Sequence, residues 1–116
     1  MPWPKTLTGA AVTSYNWHAG TRSTARPGWG YAVTNDKTGF PFDGEIYAIK
    51  LDGSRTIERY AHHRSIVTDY DANPFPTPSP DGRRVLFSSN WGEASGRPIQ
   101  TYVADTRQLC PNGLQE

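Results

Sequence analysis

Apolar side chains in this chain recur in short runs between turn-forming clusters, and no segment keeps the helical period of about 3.6 residues beyond a turn or two. Tyr31-Ala32-Val33-Thr34 has the make-up of a buried strand, entered through Pro27-Gly28 and left through Asn35-Asp36-Lys37. Glu45 to Leu51 is the next strand, closed by Asp52-Gly53, a pair that tolerates positive φ. Arg55 to Ala61 alternates apolar and charged side chains, as suits a strand with one wet face at the edge of a sheet. Together the three runs predict an antiparallel meander.

The pattern then starts again. A loop rich in Asp, Asn and Pro runs from Thr68 to Pro78, Val85 to Ser89 follows the Asp81-Gly82 turn, and Ile99 to Ala104 follows a Gly-rich connection. When the halves are overlaid, Asn35 falls on Asn90 at a separation of 55 and Ile46 to Asp52 falls on Ile99 to Asp105 at 53, so a two-residue gap aligns them. A period of about 50 residues with several strands per unit is the mark of propeller blades, each of which needs neighbours to bury both of its faces. The expected organisation is a single domain over 1–116, with a first blade at about 13–62, a second at about 74–105 and a polar tail at 106–116.

Composition supports the same class. With 11 Gly and 10 Pro in 116 residues and only 35% hydrophobic residues, short segments joined by turns are favoured over long helices, and an all-β fold is expected. Twelve basic and eleven acidic side chains give a formal charge of +1 and form no block, which argues against nucleic-acid or anionic-membrane partners. Met1-Pro2-Trp3-Pro4-Lys5 leads into mixed polar and small residues with no apolar run of signal-peptide or transmembrane length, so a cytoplasmic location is the default expectation. Cys110 is the single cysteine, lacks an internal disulfide partner and sits in the polar tail as a bystander.

Ser79-Pro80-Asp81-Gly82-Arg83-Arg84-Val85-Leu86-Phe87, followed by Tyr102-Val103-Ala104-Asp105, resembles the repeat of the TolB-like, or WD40-like, β-propellers. In that repeat the Ser-Pro-Asp-Gly turn joins the first and second strands of a blade. In the first half Arg26-Pro27-Gly28-Trp29 stands at that place, so its turn is built differently. Trp17-His18, Arg26-Pro27-Gly28-Trp29, Gly44-Glu45-Ile46 and Ala61-His62-His63, taken with the second blade, also resemble the C-terminal end of oligogalacturonate lyase-like propeller proteins.

The resemblance implies two blades where propellers of this kind close with roughly six to eight. A lone pair leaves apolar faces and strand edges open, so either the chain is a fragment of a longer protein or it associates with itself, for example as three chains supplying about six blades. The second blade also lacks its outermost strand, which Leu7 to Ser14 are expected to supply, within the chain or from a neighbouring one.

Candidate chemistry is sparse. No G-x-S-x-G elbow, P-loop, dinucleotide fingerprint or Cys/His zinc spacing occurs, and no catalytic residue is assigned. Trp17, Trp29 and Trp91 lie near predicted strand ends, where an indole stacks on a sugar or anchors a partner protein, or else wedges between blades; Trp91, flanked by Asn90, Gly92, Glu93 and Ser95, is the best candidate for exposure. Arg22 and Arg26 complete the ligand-binding set as carboxylate binders near a central channel. His62 and His63 are adjacent, so in a strand they point to opposite faces. The lyase resemblance implies that His18 with one of them holds a divalent metal, against the plainer and preferred reading of loop or blade-end histidines that make ordinary hydrogen bonds; no cofactor is expected on that reading. Asp69-Tyr70-Asp71-Ala72-Asn73 resembles half of a calcium loop but lacks its Gly and distant Glu, as a solvated loop would. Two functions follow: a self-associating, non-enzymatic binding module for a protein or carbohydrate, or a fragment of a metal-assisted polysaccharide lyase.

Overall fold

The structure, a computed structural model, describes residues 5–7, 19–34 and 42–105. It is all-β, with two antiparallel sheets. Sheet 1 contains β1 (Lys5–Leu7), β2 (Ala19–Gly20), β3 (Trp29–Val33), β4 (Glu45–Lys50) and β5 (Ile57–His62), in the order β1-β5-β4-β3-β2. Sheet 2 contains β6 (Thr77–Pro78), β7 (Arg84–Ser89) and β8 (Gln100–Asp105), in sequence order. A 3-10 turn at Tyr70–Ala72 interrupts the connection between them.

The expected meander is β3-β4-β5. Its second turn forms as the Asp52-Gly53 pair suggests: Gly53 has φ 83°, and the Asp52 carboxylate accepts from the Ser54 amide at 2.9 Å. The Ser79-Pro80-Asp81-Gly82 turn joins β6 to β7. Asp81 Oδ1 accepts from the Ser79 hydroxyl (2.7 Å) and the Arg83 amide (3.0 Å), which holds the Asp81 carboxyl below the usual carboxylate range, and Gly82 turns the chain at φ 70°. The corresponding turn in sheet 1 closes with the same bond, the Arg26 amide on the Ser23 carbonyl as the Gly82 amide on that of Ser79, but differs in that its positive-φ glycine, Gly28 at φ 85°, comes two residues after the closing amide.

Two expectations change. First, the repeat needs no gap: Trp29 lies opposite Lys50 in the β3–β4 hairpin and Arg84 opposite Asp105 in β7–β8, the same register 55 residues later. Tyr47 therefore matches Tyr102, and Ile46 matches Thr101 instead of Ile99. Second, β5 does not lie at the edge of its sheet. Lys5–Leu7 pairs with β5, Lys5 opposite Arg59 and Leu7 opposite Ile57, so β5 is an inner strand and β8 is the outer strand of sheet 2 among the described residues. Residues 8–14 of the expected closing segment lie outside the described residues. With β5 flanked on both sides, its charges have partners within the fold: Arg59 forks onto the buried Glu45, and Glu58 Oε1 pairs with Arg26 at 2.7 Å.

Strand alternation gives each sheet two faces. Tyr31, Val33, Ile46, Ala48 and Tyr60 on one face of sheet 1 pack against Val85, Phe87, Tyr102 and Ala104 of sheet 2, forming the main core. On the other face of sheet 1, Ala32, Tyr47 and Ile57 are buried with Phe42. The edge strands β2 and β6 abut so closely that a Cβ on Gly20 would lie 2.8 Å from both the Pro76 carbonyl oxygen and Pro78 Cδ.

Hydrogen bonds tie the sheets together at both ends. At the end carrying the 21–28 and 79–83 connections, the hydroxyls of Tyr31 and Tyr60 both donate to the Gly82 carbonyl, at 3.0 and 2.9 Å, and Arg26 Nη1 donates to both hydroxyls. At the other end, the chain leaving β5 is joined to the chain leaving β7, and there the cleft forms.

Candidate functional site

Alternation along β5 makes His62 exposed and His63 buried. His63 Nδ1 accepts from the Ser65 amide at 3.0 Å, which places the ring proton on Nε2, where it donates to the Thr34 carbonyl at 3.1 Å. Burial pushes the His63 pKa below the ordinary histidine value, outweighing the Thr34 hydrogen bond. Beyond this point Ser89 Oγ donates to the His63 carbonyl and accepts from the Trp91 amide at 2.9 Å. The Asn90 carboxamide binds Ile66 on both sides, accepting from its amide at 2.9 Å and donating to its carbonyl at 2.8 Å, and also accepts from the Gly92 amide at 3.2 Å.

This network fixes Arg64 and Trp91 in left-handed backbone, at φ 59° and 53°. Neither residue type favours that region, and it persists where the surroundings over-determine it, a pattern that clusters at binding sites. Between the two segments lies a cleft of about 640 Å³ whose described walls include Asp43, His62, Arg64, Ile66 and Trp91. Trp91 is 49% exposed, and its indole stacks on Tyr102 at 4.8 Å and has the Arg64 guanidinium carbon 5.4 Å from its centroid. The arrangement brings a cation, an imidazole and a half-exposed indole together in one cleft.

The candidates from the sequence thus divide. Trp91 and His62 meet in the cleft, whereas Arg26 and Trp29 belong to the opposite end: Arg26 covers the half-buried Trp29 ring at 3.9 Å while pairing with Glu58 and both tyrosine hydroxyls, so its donors are committed within the fold. Arg22 is exposed near that end. Trp17 and His18 lie outside the described residues, as does Cys110. Of the metal candidates, His62 has an accessible ring, and His63 has no lone pair left for a cation. No group of three or more His, Cys, Asp or Glu side chains gathers among the described residues.

The half calcium loop is used structurally. Asp69 caps the 3-10 turn through the Ala72 amide at 3.1 Å and pairs with Arg97, also at 3.1 Å. Arg64 was not singled out by sequence; its neighbours His63 and Ser65 carry no turn signature, and only Asn90, followed by Trp91-Gly92, hints at the segment it meets. No helix among the described residues is long and apolar enough to cross a membrane. Compared with known proteins, the chain matches no protein-family model, no curated protein and no solved structure.

Proposed function

We propose that the chain is a self-associating, non-enzymatic binding module of the β-propeller type, whose rim cleft receives a protein or carbohydrate partner. One observation supports the self-association above all. By the 55-residue register, Leu86 and Val103 occupy the places of Tyr31 and Ala48. Tyr31 and Ala48 are fully buried under sheet 2, yet Leu86 is 45% and Val103 54% exposed, and the two stand directly opposite one another.

A second copy is the simplest cover. The far face of sheet 1 is already closed, with Ala32, Tyr47 and Ile57 buried and Phe42 packed on Tyr47 at 5.7 Å. Among the described residues each chain therefore presents one uncovered sheet face, and a single self-complementary face per chain closes as a two-fold pair. A ring of three chains with about six blades requires, in addition, that the far face of sheet 1 be opened. Light scattering across a range of concentrations tests the association: a mass of twice the 12.9 kDa of one chain is expected. A single-chain mass throughout refutes it.

A further inference from the structure

Phe87, Tyr102 and Trp91 form a column of rings rising from core to rim. The Phe87 and Tyr102 centroids are 5.8 Å apart at 28°, and those of Tyr102 and Trp91 4.8 Å apart at 30°. The Arg64 guanidinium carbon also lies over the indole, 5.4 Å from its centroid. Arg26, Arg59 and Arg97 each pair with a carboxylate; among the described residues Arg64 makes no ion pair. A guanidinium lodged against a ring keeps its N–H fork for an outside partner, and that fork matches a carboxylate. The exposed His62 adds a second donor in the cleft, against one acidic side chain, Asp43, on the described wall. Ile66, 41% exposed, and the open part of the indole supply an apolar surface beside them.

We infer that this cleft binds a small organic carboxylate with a flat ring body, its carboxylate on the Arg64 fork and its ring against Trp91 and Ile66. The site goes beyond the proposed function, giving the same cleft a small-molecule ligand, and is complete within one chain, so it does not depend on association.

Benzoate, its neutral isostere benzamide, and acetate separate the contributions in a titration followed by nitrogen-15 NMR. Benzoate is expected to shift the Trp91 indole N–H and the Arg64 Nε–H saturably, and to bind at least about tenfold tighter than benzamide or acetate. Arg64→Asn removes the charge with a residue that accepts left-handed backbone, and is expected to bring benzoate down to the level of benzamide. Trp91→Asn is expected to weaken both ring ligands. Equal binding of benzoate and benzamide by the wild-type chain, shifts confined to another part of the molecule, or no saturable binding overturns the inference, whether or not either variant folds. A chain that stays monomeric yet discriminates benzoate removes the association and leaves this site standing.

Discussion

The two tyrosine hydroxyls on the Gly82 carbonyl allow a quantitative test of how the sheets are held together. Tyr31→Phe removes one buried donor while Tyr60 still satisfies the carbonyl, and Tyr60→Phe does the converse. Each single change is expected to lose about 1 kcal/mol, the net worth of one buried hydrogen bond. In the double variant neither hydroxyl serves the carbonyl, and leaving a buried acceptor unpaired costs about 2 kcal/mol more. The double variant is therefore expected to lose about 4 kcal/mol, about 2 kcal/mol beyond the two single losses together. Urea unfolding of the four proteins at one fixed concentration, followed by tryptophan fluorescence, measures the coupling. Additivity to within about 0.5 kcal/mol would show that the hydroxyls do not share the carbonyl and would refute the latch.

Three further tests reach other parts of the fold. A Cβ on Gly82 would stand 2.1 Å from Tyr31 Oη and 2.9 Å from Arg26 Cδ at φ 70°, so Gly82→Ala is expected to cost more than about 2 kcal/mol in the same assay. His63 is held neutral by burial, so its contribution is complete above the ordinary histidine pKa of about 6.5 and is lost as pH falls from there through its lowered folded value. Stability in that window is expected to fall with a slope of at most about 1.4 kcal/mol per pH unit, a slope that His63→Gln flattens; an unchanged slope would show that His63 is not its source. Because both His63 ring nitrogens are engaged, divalent zinc or manganese is expected to leave the thermal midpoint unchanged in the wild-type chain, whereas a metal-dependent rise abolished by His63→Ala would restore the metal-site reading.

The strands were legible because alternating side chains and Gly or Asp turns announce them, and the Ser79-Pro80-Asp81-Gly82 turn forms where it was expected. The repeat was legible in outline, but matching Ile46 to Ile99 by residue identity introduced a gap that cross-strand register removes by placing Tyr47 on Tyr102. The three-residue β1 is too short for periodicity, and its pairing with β5 depends on the fold around it. In the site, adjacency assigned His62 and His63 to opposite faces; which one became buried was decided by Thr34 and Ser65, through contacts no local pattern records. Arg64 and Trp91 adopt left-handed backbone without the Gly or Asn that usually signals it, because hydrogen bonds from Ser89 and Asn90 hold their segments in place.

Self-association through the outer face of sheet 2 is tested most directly by light scattering on the wild-type chain and on the variant carrying both Leu86→Lys and Val103→Lys. Both positions are exposed in one chain, so the substitutions leave the fold intact while placing like charges across a two-fold contact. The wild type is expected at twice 12.9 kDa and the variant at 12.9 kDa with an unchanged circular dichroism spectrum. A wild type that remains at the mass of one chain, or a variant that associates as well as the wild type, would contradict the proposal.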